Sequence, residues 1–314
     1  MLAIVCPGQG SQTPGFLSPW LELPGVSDHL ARLSDVAGLD LTAFGTTADE
    51  EAIKDTAVAQ PLIVAAGAIA LPLLFPEGDI AAQIDVTAGH SVGEFTASVV
   101  AGVLTDDDAI SLVQVRGHAM AEASAVTPTG MSAVLGGQAE DVSGALERHG
   151  LTAANMNGGG QVVAAGTLEQ LTALADDPPA RARVIPLKVA GAFHTRHMAT
   201  AVQALEQRAA QVTAHDAQIT FLSNKDGANV TDHQDALARL VNQVSNPVRW
   251  DLCMEALLEL GVTGMIELPP AGTLAGLAKR GMRGVETVAL KSPDDLEAAR
   301  SLVREHTTPQ RTAN

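Results

Sequence analysis

Residues 85–101 read DVTAGHSVGEFTASVVA. Asp85–Ala88 has the short, β-branched character of a buried strand, and a helix of small and apolar residues follows to about Ala101. Gly102 fits as the C′ residue of that helix. Between strand and helix, Gly89-His90-Ser91-Val92-Gly93 has the form of a nucleophile elbow. The chemistry needs a serine on a tight strand-to-helix turn, with glycines relieving the crowded backbone and a helix N-terminus facing the reacting carbonyl. An ordinary Gly-Ser turn can carry the same letters. The context of apolar strand before and small-residue helix after favours the nucleophile.

Outward from this unit the chain alternates short β-rich runs with longer helical stretches, which predicts an α/β protein. Leu2–Cys6 reads as a buried strand entering a Gly-rich loop, Pro7–Gln12. Thr105 can cap the next helix, whose positive end Asp106, Asp107 and Asp108 favour. From Gly130 to about Val189 the order becomes strand, helix, strand, strand, helix, strand, the ferredoxin-like βαββαβ unit. The predicted organisation is a discontinuous large subdomain over 1–127 and 191–306, a small ferredoxin-like subdomain over 128–190, and a frayed tail over 307–314. Asn246 and Pro247 have the character of N-cap and N1 residues of a helix ending before Gly261.

The 314 residues can bury a substantial core, 46% of them hydrophobic and 18% charged. The formal charge is −17 and no Lys/Arg run occurs, which argues against a nucleic-acid partner. The two cysteines, Cys6 and Cys253, have no disulfide framework or metal-ligand spacing and read as buried thiols of a cytoplasmic protein. The opening MLAIVCPGQG lacks a signal-peptide pattern. Ala57–Phe75 is uncharged over 19 residues, but Gln60, Pro61, Gly67 and Pro72 favour a buried core helix starting near Pro61 over a membrane span.

A nucleophilic serine needs a base, and the chain has nine histidines. His90 is adjacent to Ser91, so its side chain is expected to point away. His29, His149, His215, His233 and His306 lie in polar stretches, whereas His194 follows an apolar strand in Gly191-Ala192-Phe193-His194. Loops at strand ends are where catalytic groups are placed. His197 makes no convincing metal pair with His194, since no third ligand stands near. Arg116 falls on the apolar stripe of its helix, four after Leu112 and three before Ala119 and four before Met120. An inward guanidinium cannot shed its charge and needs an anion, either an internal Asp/Glu or a substrate carboxylate gripped by two parallel N–H bonds. The loop Gly8-Gln9-Gly10-Ser11-Gln12 fails the dinucleotide pattern at Thr13 and has no Gly-Lys-Ser/Thr, but its backbone N–H groups can serve an oxyanion hole.

These pieces resemble one family over nearly the whole chain: PGQGSQ at 7–12, QP at 60–61, GHSVGE at 89–94, Arg116, GMSAVLG at 130–136, AFH at 192–194, SNKDG at 223–227 and NPVRW at 246–250. The chain is similar to the malonyl-CoA:acyl carrier protein transacylases, stand-alone enzymes of bacterial fatty acid and polyketide synthesis. The resemblance implies an α/β-hydrolase-like large subdomain carrying the ferredoxin-like one. It implies Ser91 as nucleophile, His194 as base oriented by the backbone carbonyl of Gln243, and the amides of Gln9 and Val92 as oxyanion hole. It also implies Arg116 as clamp on the malonyl carboxylate, Phe193 as a residue beside the malonyl Cα, malonyl-CoA and acyl carrier protein as partners, and no metal or other cofactor. One departure is visible: Pro269-Pro270-Ala271-Gly272 stands where the family commonly has a Pro-Gly turn, which puts the shape of that loop in question.

Overall fold

The computed structural model describes residues 1–307; the tail expected over 307–314 lies, but for its first residue, outside them. Two five-stranded sheets organise the chain. The first is parallel, built from β1 (Leu2–Cys6), β2 (Val86–Gly89), β7 (Thr220–Leu222), β9 (Gly264–Glu267) and β10 (Glu286–Ala289), in the order β10-β9-β1-β2-β7. β1 is buried at every position and sits at the centre, as a strand covered on both faces must be. The chain runs outward from it to β2 and β7, then returns to β9 and β10 on the other side. Such a reversal opens a crevice at the carboxyl ends of the strands, where ligands bind in open α/β sheets.

The second sheet contains β3 (Thr129–Gly136), β4 (Thr152–Gly158), β5 (Gln161–Thr167) and β6 (Ala182–Pro186), in the order β6-β3-β5-β4. Helices Ala139–Arg148 and Leu168–Asp176 complete the βαββαβ order, the second begun by a capping box between Thr167 and Gln170. A fifth strand, β8 (Val248–Arg249), comes from the distant 191–306 stretch and pairs in parallel with Asn155 and Met156 of β4. The helix expected to open at Asn246-Pro247 therefore starts later, at Trp250. A residue preceding proline is pushed to extended backbone, and Asn246 is extended at φ −125° and ψ 152°. β-branched Val248 continues the extension, and the Arg249 amide donates to Asn224 O at 2.8 Å.

The apolar helix runs over Thr56–Leu74, five residues earlier than Pro61 suggests, because the Asp55 carboxylate accepts from Ala57 N–H and starts it. It is long and apolar enough to cross a membrane, yet it is buried along nearly its whole length inside the protein, packed against helix Asp106–Val126. Thr105 caps that second helix by accepting from Asp108 N–H at 3.1 Å.

Candidate active site

At the end of β2 the backbone turns sharply and Ser91 takes φ 54°, a left-handed conformation that a non-glycine residue holds only when its surroundings impose it. The two flanking glycines make the turn possible. A Cβ on Gly93 would stand 2.1 Å from Cys6 O of β1, and one on Gly89 would stand 2.0 Å from the carbonyl carbon of Gly93. The side chain of Asn224, just past β7, braces the same turn on both sides: its Oδ1 accepts from Ser91 N–H at 2.8 Å and its Nδ2 donates to Gly89 O at 2.7 Å.

The turn presents Ser91 to a cleft of about 460 Å³ between the two sheets, lined among others by Gln9, Val92, Arg116, Phe193 and His194. Ser91 Oγ lies 2.8 Å from His194 Nε2, and His194 Nδ1 faces the carbonyl oxygen of Gln243 at 2.9 Å. With Nδ1–H donating to that carbonyl, Nε2 is the lone pair that can take the Ser91 proton. Among the described residues no carboxylate completes a triad. Burial, followed by the positive charge of Arg116, pushes His194 down to about 3, so the ring is neutral at physiological pH.

Arg116 is 1% exposed and reaches the same oxygen, Nη2 to Ser91 Oγ at 3.2 Å. Its Nη1 donates to Gln60 Oε1 at 2.6 Å and its Nη2 also to Gln243 Oε1 at 3.3 Å, while Nε has no partner. Among the described residues no Asp or Glu lies within ion-pair distance of it. Burial lowers it to about 10, partly opposed by Glu94, which leaves it charged. A fixed cation beside a serine–histidine pair, met only by neutral oxygens, two of amides and one of the serine hydroxyl, is an arrangement for an anionic group of a ligand.

The backbone N–H groups of Gln9 and Val92 have no acceptor among the described residues. The Gln9 side chain anchors its loop, donating to Thr56 Oγ1 at 3.3 Å. Phe193 is buried and borders the cleft next to His194. His90 turns from Ser91 to Asn157, Nε2 to Oδ1 at 2.9 Å. His306, the histidine nearest the C-terminus, contacts Thr263 Oγ1 at 3.1 Å and takes no part in the site. The loop at 269–272 is tied down by Glu267, whose carboxylate accepts from Gly272, Leu274 and Ala275 N–H at 2.8–2.9 Å.

Three buried residues of the site were given no role from the sequence. Gln60 and Asn224 fell inside quoted motifs without a task. Glu94 carried a visible signal, an acid in an otherwise uncharged helix of small and apolar residues. Burial pushes its carboxyl up to about 8, against the opposing pull of the Asn224 amide and Arg116.

Residues 3–309 match the family model described as acyl transferase domain. The chain is 53% identical over 302 residues to the malonyl CoA-acyl carrier protein transacylase of Mycobacterium tuberculosis H37Rv, covering 96% of this chain and 100% of that one. To the protein of the same description from Escherichia coli K12 it is 32% identical over 307 residues, 96% of this chain and 99% of that one. Among solved structures it superposes on MCAT from Mycobacterium tuberculosis with TM-score 0.92 at 53% identity, covering 96% of this chain and 99% of that one. It also superposes on a malonyl-transacylase in complex with its type II PKS acyl-carrier protein, with TM-score 0.88 at 31% identity over 96% of this chain and 99% of that one.

Proposed function

Since the chain belongs to the acyl transferase family, and within it to the malonyl CoA-acyl carrier protein transacylases, we propose that it moves a malonyl group from malonyl-CoA to the phosphopantetheine thiol of an acyl carrier protein through an ester on Ser91. The observation that carries this reading is the single oxygen, Ser91 Oγ, shared by a neutral imidazole at 2.8 Å and an unpaired guanidinium at 3.2 Å. The imidazole supplies a base and the guanidinium a receptor for the malonyl carboxylate.

The reaction runs as ping-pong chemistry. Ser91 Oγ attacks the thioester carbonyl while His194 Nε2 takes its proton and Nδ1 stays on the Gln243 carbonyl. The oxyanion is received by the free amides of Gln9 and Val92. The C–S bond breaks, His194 returns the proton to the departing thiolate, and coenzyme A leaves. The carrier thiol then gives its proton to His194 and attacks the Ser91 ester. As that ester bond breaks, the proton passes back to Ser91 Oγ and malonyl-carrier protein leaves. Every proton is accounted for by Ser91, His194 and the two thiols, so the scheme calls on no metal or redox group. We place the reaction in the cytoplasm, supplying extender units for fatty acid or polyketide synthesis. Intact-mass and peptide mapping after mixing with malonyl-CoA test it: the malonyl increment belongs on Ser91, and Ser91→Ala should remain unmodified. Equal labelling of Ser91→Ala would overturn the mechanism.

A further inference from the structure

Behind the cleft lies a buried polar layer that the steps above do not use. Glu94 is 2% exposed and Asn224 0%. Between them and the reacting groups stands Gln243, which does not line the cleft and yet touches both of its working halves. Its backbone oxygen meets His194 Nδ1, and its side-chain oxygen accepts from Arg116 Nη2. The two ends of a carboxamide are nearly equal in size, so hydrogen bonding, not packing, decides which one faces the guanidinium. Glu94 supplies that decision. Its Oε2 accepts from Gln243 Nε2, and its Oε1 accepts from Asn224 N–H at 2.7 Å. Asn224 Oδ1 takes a second bond from Gln243 Nε2 at 3.1 Å. With acceptors on one side and a cation on the other, only one orientation of the amide is satisfied.

We propose that Glu94 is a positioning residue: its carboxylate locks the Gln243 amide with the oxygen toward Arg116, and so holds the guanidinium in place for the substrate carboxylate. The inference rests on the malonyl-transfer reading and deepens it. Both groups that face Glu94 are N–H donors, and a carboxylate meets both. An amide at this position has one acceptor and one NH₂. If its oxygen keeps the Asn224 N–H, its NH₂ opposes Gln243 Nε2, donor against donor. The relief is a flip of Gln243, which turns an NH₂ group toward Arg116 with nothing to receive it.

The test compares wild type, Glu94→Gln and Glu94→Asp at about pH 9, above the value of about 8 to which burial pushes Glu94, so that the ionised carboxyl predominates. Three quantities are read: kcat/KM with malonyl-CoA, kcat/KM with acetyl-CoA, and the rate at which a neutral alkyl fluorophosphonate labels Ser91. Labelling needs the serine and its base but no carboxylate receptor. Glu94→Gln should lower malonyl kcat/KM on the order of 10- to 100-fold, mainly through KM, while acetyl transfer and labelling change less than about threefold. Glu94→Asp keeps two acceptors on a shorter arm and should recover part of the loss. Parallel losses of malonyl transfer, acetyl transfer and labelling in Glu94→Gln, or no loss at all, overturn the positioning role. Should Glu94→Gln fail to fold, Glu94→Asp decides by the same ratio, and an unchanged malonyl-to-acetyl ratio overturns it. A wild-type protein that forms no malonyl ester on Ser91 overturns the underlying reading instead, before any variant is compared.

Discussion

Replacing Arg116 by alanine tests the element proposed to separate a malonyl from an acetyl donor. The two thioesters react by the same bond changes and differ in the distal carboxylate. In the proposed binding mode that carboxylate meets a guanidinium only 1% exposed, with no acidic residue at ion-pair distance among the described residues and Gln60 and Gln243 as its amide supports. Breaking a buried charge pair from one side typically costs about 3–5 kcal/mol, because the remaining charge stays desolvated and alone. Water can follow the carboxylate into the space the arginine side chain leaves, so the lower part of that range applies, about 3–4 kcal/mol. Malonyl kcat/KM should then fall by about 10²–10³-fold in Arg116→Ala. Arg116 also touches Ser91 Oγ, and loss of that contact affects both donors alike, so acetyl transfer serves as the internal control. It should fall far less than malonyl transfer. Arg116→Lys should rescue only in part, since one ammonium cannot hold Gln60, Gln243 and a carboxylate in fork geometry. The assay is the malonyl-to-acetyl ratio of kcat/KM in the three proteins. If both activities fall together and the ratio stays put, Arg116 is a structural residue and the reasoning fails.

Two further expectations follow from the same cleft. His194 is held down to about 3, so fluorophosphonate labelling of Ser91 should stay flat from pH 8 to about pH 5, and Arg116→Ala should bring an acid limb upward toward the ordinary histidine range near 6.5; an unshifted limb in the variant would disprove the electrostatic link. Because this base is depressed only in the fold, its stabilising contribution is full above about pH 6.5 and is lost as the pH falls toward its folded value. Phe193 borders the cleft beside the base, so the wild type should discriminate against a methyl branch by about 1–3 kcal/mol, and Phe193→Ala should raise methylmalonyl relative to malonyl kcat/KM, as measured by competition between the two thioesters. Equal use of both by the wild type would remove Phe193 from the selectivity argument.

What could be read in the sequence follows the range over which each signal acts. Ser91 is legible because strand, turn and helix lie within 17 consecutive residues, with Gly93 recording the close approach to β1 and Gly89 the tightness of the turn itself. Arg116 is legible because helical periodicity alone puts it on an apolar stripe. Asn224 is silent because its bond to Ser91 spans 133 positions, and nothing in SNKDG says which distant turn it will brace. Gln243 acts on His194 through a backbone carbonyl, which every residue owns, so only resemblance to a family pointed to it. Asn246-Pro247 misled in the other direction: the pair that suits a helix start here precedes a two-residue strand, since the edge of β4 was free to accept it.

In the proposed reaction the charge that reads the substrate also acts on the base. Arg116 has no acidic residue at ion-pair distance among the described residues, and after burial its field is the next largest influence keeping His194 unprotonated. A carboxylate arriving on the guanidinium cancels much of that field at short range, in a desolvated site where Coulomb interactions are strong. On the malonyl-transfer reading the imidazole should therefore gain basicity when a malonyl group is seated and Ser91 must give up its proton. An acetyl donor brings no such charge and leaves His194 a weaker base. Discrimination between the two thus has a component in the chemical step as well as in binding. In Arg116→Ala the malonyl donor loses that component, so the part of the lost malonyl-to-acetyl ratio carried by kcat, separated from KM by single-turnover acylation, measures how far one guanidinium couples recognition to catalysis.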